Sequence, residues 1–297
     1  MKRALLLMLI TGGSTLLTAS CATTPPKGTL ALHERRGDKS EVVAWKSSET
    51  AVIICDMWDT HTCAGAARRV AEMAPKLNEF VKTARADGVL IVHAPSDVIK
   101  FYEGTPQRQR AKDAPAAKAS IPFKWNYLDR DREGPLPIDD TDWCDCEKKC
   151  PIKEIEASKK WPWTRQIATI EIAPQDVISA DGQEIWNVFQ QRGIKNVIMT
   201  GVHTNMCVLG RSFGIRQMVK LGMNVVLVRD LTDGLYDPRK PPHVSHDAGV
   251  ALLIGHVEKN PGTLKQADRV LGDLREFEKI LAAAKDAGVR WHLAIDY

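Results

Sequence analysis

Apolar positions along this chain fall into short dense blocks separated by polar stretches with helical spacing. Ala51-Val52-Ile53-Ile54-Cys55-Asp56 is an apolar run ending in an acid, and Val89-Leu90-Ile91-Val92-His93 repeats the form. Asn196-Val197-Ile198-Met199-Thr200-Gly201 and Asn224-Val225-Val226-Leu227-Val228-Arg229 are two more. Continuous runs of this length predict strands buried on both faces. A weaker strand is expected at 167–172. Between the first two runs, Val70, Met73, Leu77, Phe80, Val81 and Ala84 recur at helical spacing, and Gly88 stops the pattern. Further helices are expected at 183–192 (closed by Gly193), at about 205–221 and at about 245–258. Strands alternating with helices define βαβ units. The fold class that follows is α/β, a three-layer, doubly wound, Rossmann-like parallel sheet with helices on both faces.

Three stretches stand outside this rhythm. Met1-Lys2-Arg3 followed by the apolar stretch to Leu17 has the charged, apolar and small-residue regions of a secretory signal peptide, and is too short and interrupted to span a bilayer. Leu17-Thr18-Ala19-Ser20-Cys21 resembles a bacterial lipobox, in which Cys21 would be acylated. The expected division is a signal peptide at 1–20, a solvated tether at 21–48, the main α/β domain at 49–260 and a C-terminal helical tail at 261–297. The domain carries an insertion at 95–165, charged and broken by prolines such as Pro106, Pro115, Pro122 and Pro135. It follows a strand end, on the ligand side of such a sheet. The expected location is the bacterial cell envelope, lipid-anchored on the periplasmic face.

Composition narrows the classes. The 297 residues carry 41 Lys and Arg against 37 Asp and Glu, a net charge of +4, with no long basic run. No nucleic-acid partner is called for. The expected partners are a small-molecule substrate and, through the anchor, a membrane; a homo-oligomer is left open. Seven cysteines are too few for a disulfide scaffold of this size but allow one or two bridges beside a reactive thiol.

Gly201-Val202-His203-Thr204-Asn205-Met206-Cys207-Val208 leaves a buried strand and enters a predicted helix with a cysteine in its first turn. Unpaired N–H groups at a helix start favour a thiolate and can hold an oxyanion. Asp56 ends the first strand and would share that sheet edge if the two strands are neighbours.

These motifs resemble the isochorismatase-like cysteine hydrolases, the superfamily that includes nicotinamidases. The resemblance rests on "AVIICDMWD", "GVHTNMCV" and the following "NVVLVRDLTDG", and spans roughly 49–260 outside the insertion. It implies that Cys207 is the nucleophile and Asp56 its proton acceptor. It further implies a cis peptide between Val202 and His203, with the N–H groups of His203 and Cys207 as oxyanion donors. The activity implied is hydrolysis of a small amide or related C–N bond through a thioacyl-enzyme. The alternatives are a binding lipoprotein on the same scaffold and cysteine-independent vinyl-ether hydrolysis. One departure stands out. Where the family places the lysine of its triad, this chain has Ser179. Lys124, Lys159, Lys160 and Arg165 of the insertion are the candidate substitutes.

Trp58, His61 and Thr204 are expected to touch substrate. No cofactor is required, and a divalent metal is left open: Asp59, His61 and His203 are the low-odds ligands, because the family's Asp-x-His pair is missing at His93-Ala94-Pro95-Ser96-Asp97. Around Trp143-Cys144-Asp145-Cys146-Glu147-Lys148-Lys149-Cys150 a disulfide is the better reading than a metal knuckle. Cys150 with Cys144, Cys150 with Cys146, or a bond to Cys63 remain alternatives. His243 and His246 are assigned to structure or the pocket rim.

Overall fold

The structure is a computed structural model. It describes residues 28–36, 39–141, 144–145, 150, 155, 157–158, 160–259 and 269–271. The expected signal peptide, Cys21 and most of the tail lie outside the described residues, as do Cys146 and Lys159. No described helix is long and apolar enough to cross a membrane.

The chain builds strands β1 (Thr29–Arg36), β2 (Lys39–Lys46), β3 (Thr50–Cys55), β4 (Leu90–Ala94), β5 (Val177–Ile178), β6 (Asn196–Val202), β7 (Asn224–Asp233) and β8 (Arg269–Leu271). The helices are α1 (Ala64–Ala86), α2 (Pro106–Lys112), α3 (Gly182–Arg192), α4 (Ile215–Lys220) and α5 (His246–Lys259). One sheet runs in the order β2-β1-β8-β7-β6-β3-β4-β5. Its centre, β7-β6-β3-β4-β5, is parallel throughout. The chain winds outward from β3 to β4 and β5, then returns to β6 on the other side of β3. Strand order therefore reverses between β3 and β6, which opens a crevice beyond their carboxyl ends.

Strand alternation divides the core into two layers. Val52 and Ile54 of β3 face α1 through Val70, Leu77 and Val81. Ala51, Ile53 and Cys55 face the other way, toward Ile185, Val188 and Phe189 of α3 and toward Phe213 and Met218. All six residues of β3 are buried, as the unbroken apolar run requires.

Four expectations need correction. The stretch 29–46, expected to be a tether, forms β1 and β2, an antiparallel pair added to the sheet edge. Its alternation of apolar and charged residues suits strands with one face exposed. The weak strand expected at 167–172 is absent: Ile167 N–H donates to the Met57 carbonyl and Ile170 N–H to Ile167, and the edge position goes to Val177–Ile178. The helix expected at about 205–221 is two pieces, a π-turn at Thr204–Val208 and α4, because the segment turns at Gly214. In the tail, 269–271 pairs with β7 and β1 as a strand where an amphipathic helix was expected.

The insertion packs closely on the domain. Arg216 donates to both oxygens of Glu133 at 2.7 Å, His256 Nε2 lies 2.9 Å from the same carboxylate, and Asn126 bonds Gln217 at 2.7 Å.

Candidate active site

Asp56 follows β3 directly and is fully buried, with φ of 47°. Asp is one of the few residues that tolerates this left-handed conformation. Its Oδ1 accepts the Ser96 N–H at 2.7 Å, which aims the carboxylate across the end of β4. Cys207 lies in the π-turn after β6 and is 9% exposed. The two sequence-predicted residues therefore meet at the switch point, where the Asp56 charge bears directly on the Cys207 thiol. The peptide between Val202 and His203 is cis.

Close packing of β3 on β6 makes this meeting feasible. Gly201 has φ of 92°, and a Cβ there would come within 2.1 Å of the Cys55 carbonyl oxygen. Beside β7 the register shifts between Met199 and Gly201, with the extra residues on β7, while β6 keeps regular register with β3 up to Cys55.

The third member of the site is Arg211, which the sequence reading missed. Its Nε lies 3.5 Å from Asp56 Oδ2, and its Nη2 donates to Asp97 at 3.2 Å. The guanidinium stacks 5.6 Å above the Trp125 ring, and the Arg211 N–H donates to the Cys207 carbonyl at 3.0 Å. The signal was the spacing: Arg211 stands four positions after Cys207, about one turn of chain. Among the described residues, the expected substitutes do not act on Asp56 or Cys207. Lys124, Lys160 and Arg165 are exposed, and Arg165 covers Phe101. Ser179 is turned away, donating to Glu184 at 2.5 Å.

Electrostatics correct a second expectation. The helix-start argument predicts a depressed thiol pKa, but burial, then the adjacent Asp56 charge, push the Cys207 thiol well above its ordinary value. Arg211 opposes this shift only in part. Burial also raises Asp56, against the pull of Arg211. The Arg211 guanidinium stays protonated, since the Asp56 and Asp97 carboxylates offset the cost of burial. The resting thiol is therefore neutral beside Asp56, with a fixed cation alongside.

Around this centre, His203 is buried, and its Nε2 has no hydrogen-bond partner among the described residues. Burial and the neighbouring His61 keep it neutral. His61 is held at about 4 by burial and then by Arg69; its Nδ1 accepts the Cys63 N–H at 3.1 Å. Trp58, His61, Trp163 and Trp161 form a stacked aromatic ladder, with Trp58 and Trp163 centroids 4.3 Å apart. Trp58 is buried and donates to the Ser96 carbonyl, so it backs the site. Thr204 bonds Thr232 and the Asp233 carbonyl, which fastens the π-turn to β7 and corrects the expected substrate contact.

The low-odds metal set does not assemble. Asp59 accepts the Thr164 N–H and hydroxyl at 2.9 and 2.5 Å, securing the end of the insertion. Among the described residues, Asp59, His61 and His203 do not bring three ligand atoms together. His246 bonds Asp233 at 2.8 Å and the Tyr236 carbonyl, a structural role as expected. The disulfide joins Cys144 to Cys150, one of the alternatives left open.

The isochorismatase domain model matches residues 176–244, 69 of the 297, which run from just before β5 through the Cys207 turn to the loop after β7. That match, with the strand order and the convergence of Asp56 with Cys207, gives the chain an isochorismatase-like α/β hydrolase fold. No curated protein matches the chain. Among solved structures, a cysteine hydrolase from Pseudomonas syringae pv. phaseolicola 1448A is similar at 16% identity, covering 85% of this chain and 98% of that one, with a TM-score of 0.48. The pyrazinamidase of Pyrococcus horikoshii in complex with zinc is 17% identical over 70% and 96%, with a TM-score of 0.38. A nicotinamidase from Bacillus subtilis is 14% identical over 75% and 99%, with a TM-score of 0.35.

Proposed function

We propose that the chain is a cysteine hydrolase of a small amide or related C–N bond, working outside the cytoplasm from a lipid anchor at Cys21. The observation that carries the chemistry is the junction of Cys207, Asp56 and Arg211 at the switch point of the sheet. Attack of Cys207 on the carbonyl carbon passes the thiol proton to Asp56. The backbone N–H groups of His203 and Cys207 hold the oxyanion. Collapse breaks the C–N bond, and the leaving amine takes the proton from Asp56. Water, giving its proton to Asp56, then attacks the thioester, releasing the acid and restoring the thiol.

Arg211 supplies the charge that the family's lysine would otherwise provide. It stabilises Asp56 as an anion before attack and the sulfur as it loses its proton. Its presence removes the reason for reading the chain as a binding protein that lost its triad. Vinyl-ether hydrolysis is the reading left by a cysteine-independent result.

A panel of small amides, with released amine or ammonia measured, tests the proposal. Turnover in the parent and its loss by a factor of about 10² or more in Cys207→Ala is the expected outcome. Near-parental turnover in Cys207→Ala removes the thioacyl route.

A further inference from the structure

A second group of sulfurs lies beside the catalytic turn. Cys63 immediately precedes α1 and is buried at 0% exposure; Cys144 and Cys150 of the insertion are 5% and 9% exposed. Their three sulfur atoms lie within 4.8 Å of one another. Cys144 and Cys150 are joined, while Cys63 keeps its thiol and donates to Asp145 Oδ1 at 3.2 Å. Asp145 is fixed in turn by Arg69 of α1, 2.6 Å away. A thiol, a disulfide within reach and a carboxylate placed to take the thiol proton are the components of an exchange reaction.

We propose that Cys63, Cys144 and Cys150 form a thiol–disulfide exchange site, in which the bridge migrates between Cys144–Cys150 and a pair that includes Cys63. The Cys63 sulfur attacks one sulfur of the bridge. A new S–S bond forms, the Cys144–Cys150 bond breaks, and its electron pair leaves on the other sulfur. The proton given to Asp145 passes to that departing thiolate. One thiol and one disulfide remain, so the step needs neither oxidant nor reductant.

The step changes which segments are joined. In one state the 144–150 loop is closed on itself; in the other it is stapled to the start of α1. That start borders the catalytic site. The Cys63 N–H holds His61, whose ring meets His203 at 5.0 Å, and Met206, next to Cys207, packs on the same sulfur cluster. Arg69 also bonds Asp233 at the end of β7. The staple would act on the wall of the site without supplying a reacting atom.

The test is non-reducing peptide mapping of the full chain with Cys146→Ser, so that this cysteine, between Cys144 and Cys150 in the sequence, cannot contribute. Samples held at increasing pH are quenched with acid and alkylated. Peptides joining Cys63 to Cys144 or Cys150 should accumulate beside the Cys144–Cys150 peptide, faster as pH rises because the attacking species is the thiolate. Asp145→Asn should slow their appearance by about tenfold or more, with circular dichroism checking that the fold persists. Recovery of Cys63 only as alkylated thiol at every pH, with Cys144–Cys150 the sole bridge, overturns the proposal. So does stoichiometric zinc binding by the dithiothreitol-reduced chain that keeps all three thiols from re-forming a bridge in air, since the cluster would then be a metal centre. The outcome does not depend on turnover, and Cys207→Ala in the same chain leaves the mapping readable.

Discussion

Arg211 carries the most specific consequence at the scale of single residues. Its charge opposes the burial that raises both Asp56 and Cys207. Arg211→Gln should therefore lower kcat/KM by about 10² or more, and Arg211→Lys should restore part of it because charge returns without the bond to Asp97. The acid limb of the pH–rate profile reports Asp56. It should lie above the ordinary carboxylate value of about 3.9, because the buried group is raised, and Arg211→Gln should move it higher still. The raised thiol predicts slow alkylation of Cys207 by iodoacetamide at neutral pH without substrate, quickening above the free-cysteine value of about 8.5. Rapid alkylation of Cys207 near pH 6, followed by mass spectrometry of the peptide, would contradict this resting state.

Among the elements, the ends of β6 and β7 set the geometry. Gly201→Ala would drive a Cβ to 2.1 Å from the Cys55 carbonyl in a backbone region that disfavours side chains. A loss of about 3 kcal/mol or more is expected in urea unfolding, with activity falling in whatever remains folded. At the end of β7, burial works against ionisation of Asp233, but the His246 hydrogen bond and the Arg69 charge hold its carboxyl at about 2. A lowered carboxyl contributes stability above its unfolded value, and that contribution is lost as pH falls toward the folded value. The destabilisation caused by Asp233→Asn should accordingly shrink by about 2 kcal/mol between neutral pH and pH about 2, seen as converging denaturation midpoints.

Across the whole molecule, the strands before β3 and the segment after α5 close one side of the sheet. Arg35 of β1 reaches Glu258 of α5 at 2.8 Å, so the region between any anchor and the catalytic domain is partly ordered. If Cys21 bears the lipid, Cys21→Ser should move the protein from membrane to soluble fractions with its catalytic constants unchanged. A variant that stays membrane-bound would remove the anchor from the functional reading. The sequence itself determined the parallel core: unbroken apolar runs can only be strands covered on both faces, and their end residues, Asp56 and the Cys207 turn, inherit the active edge. Three matters were decided only by tertiary structure, each because it depends on neighbours distant along the chain. The tether became an edge hairpin once β8 offered it a pairing partner. The sign of the Cys207 shift was set by burial against Asp56, which outweighs the local charge of a turn. The cation beside Asp56 is Arg211, since only the packing of β3 against β6 brings a carboxylate 155 residues back on the chain to within 3.5 Å of its guanidinium.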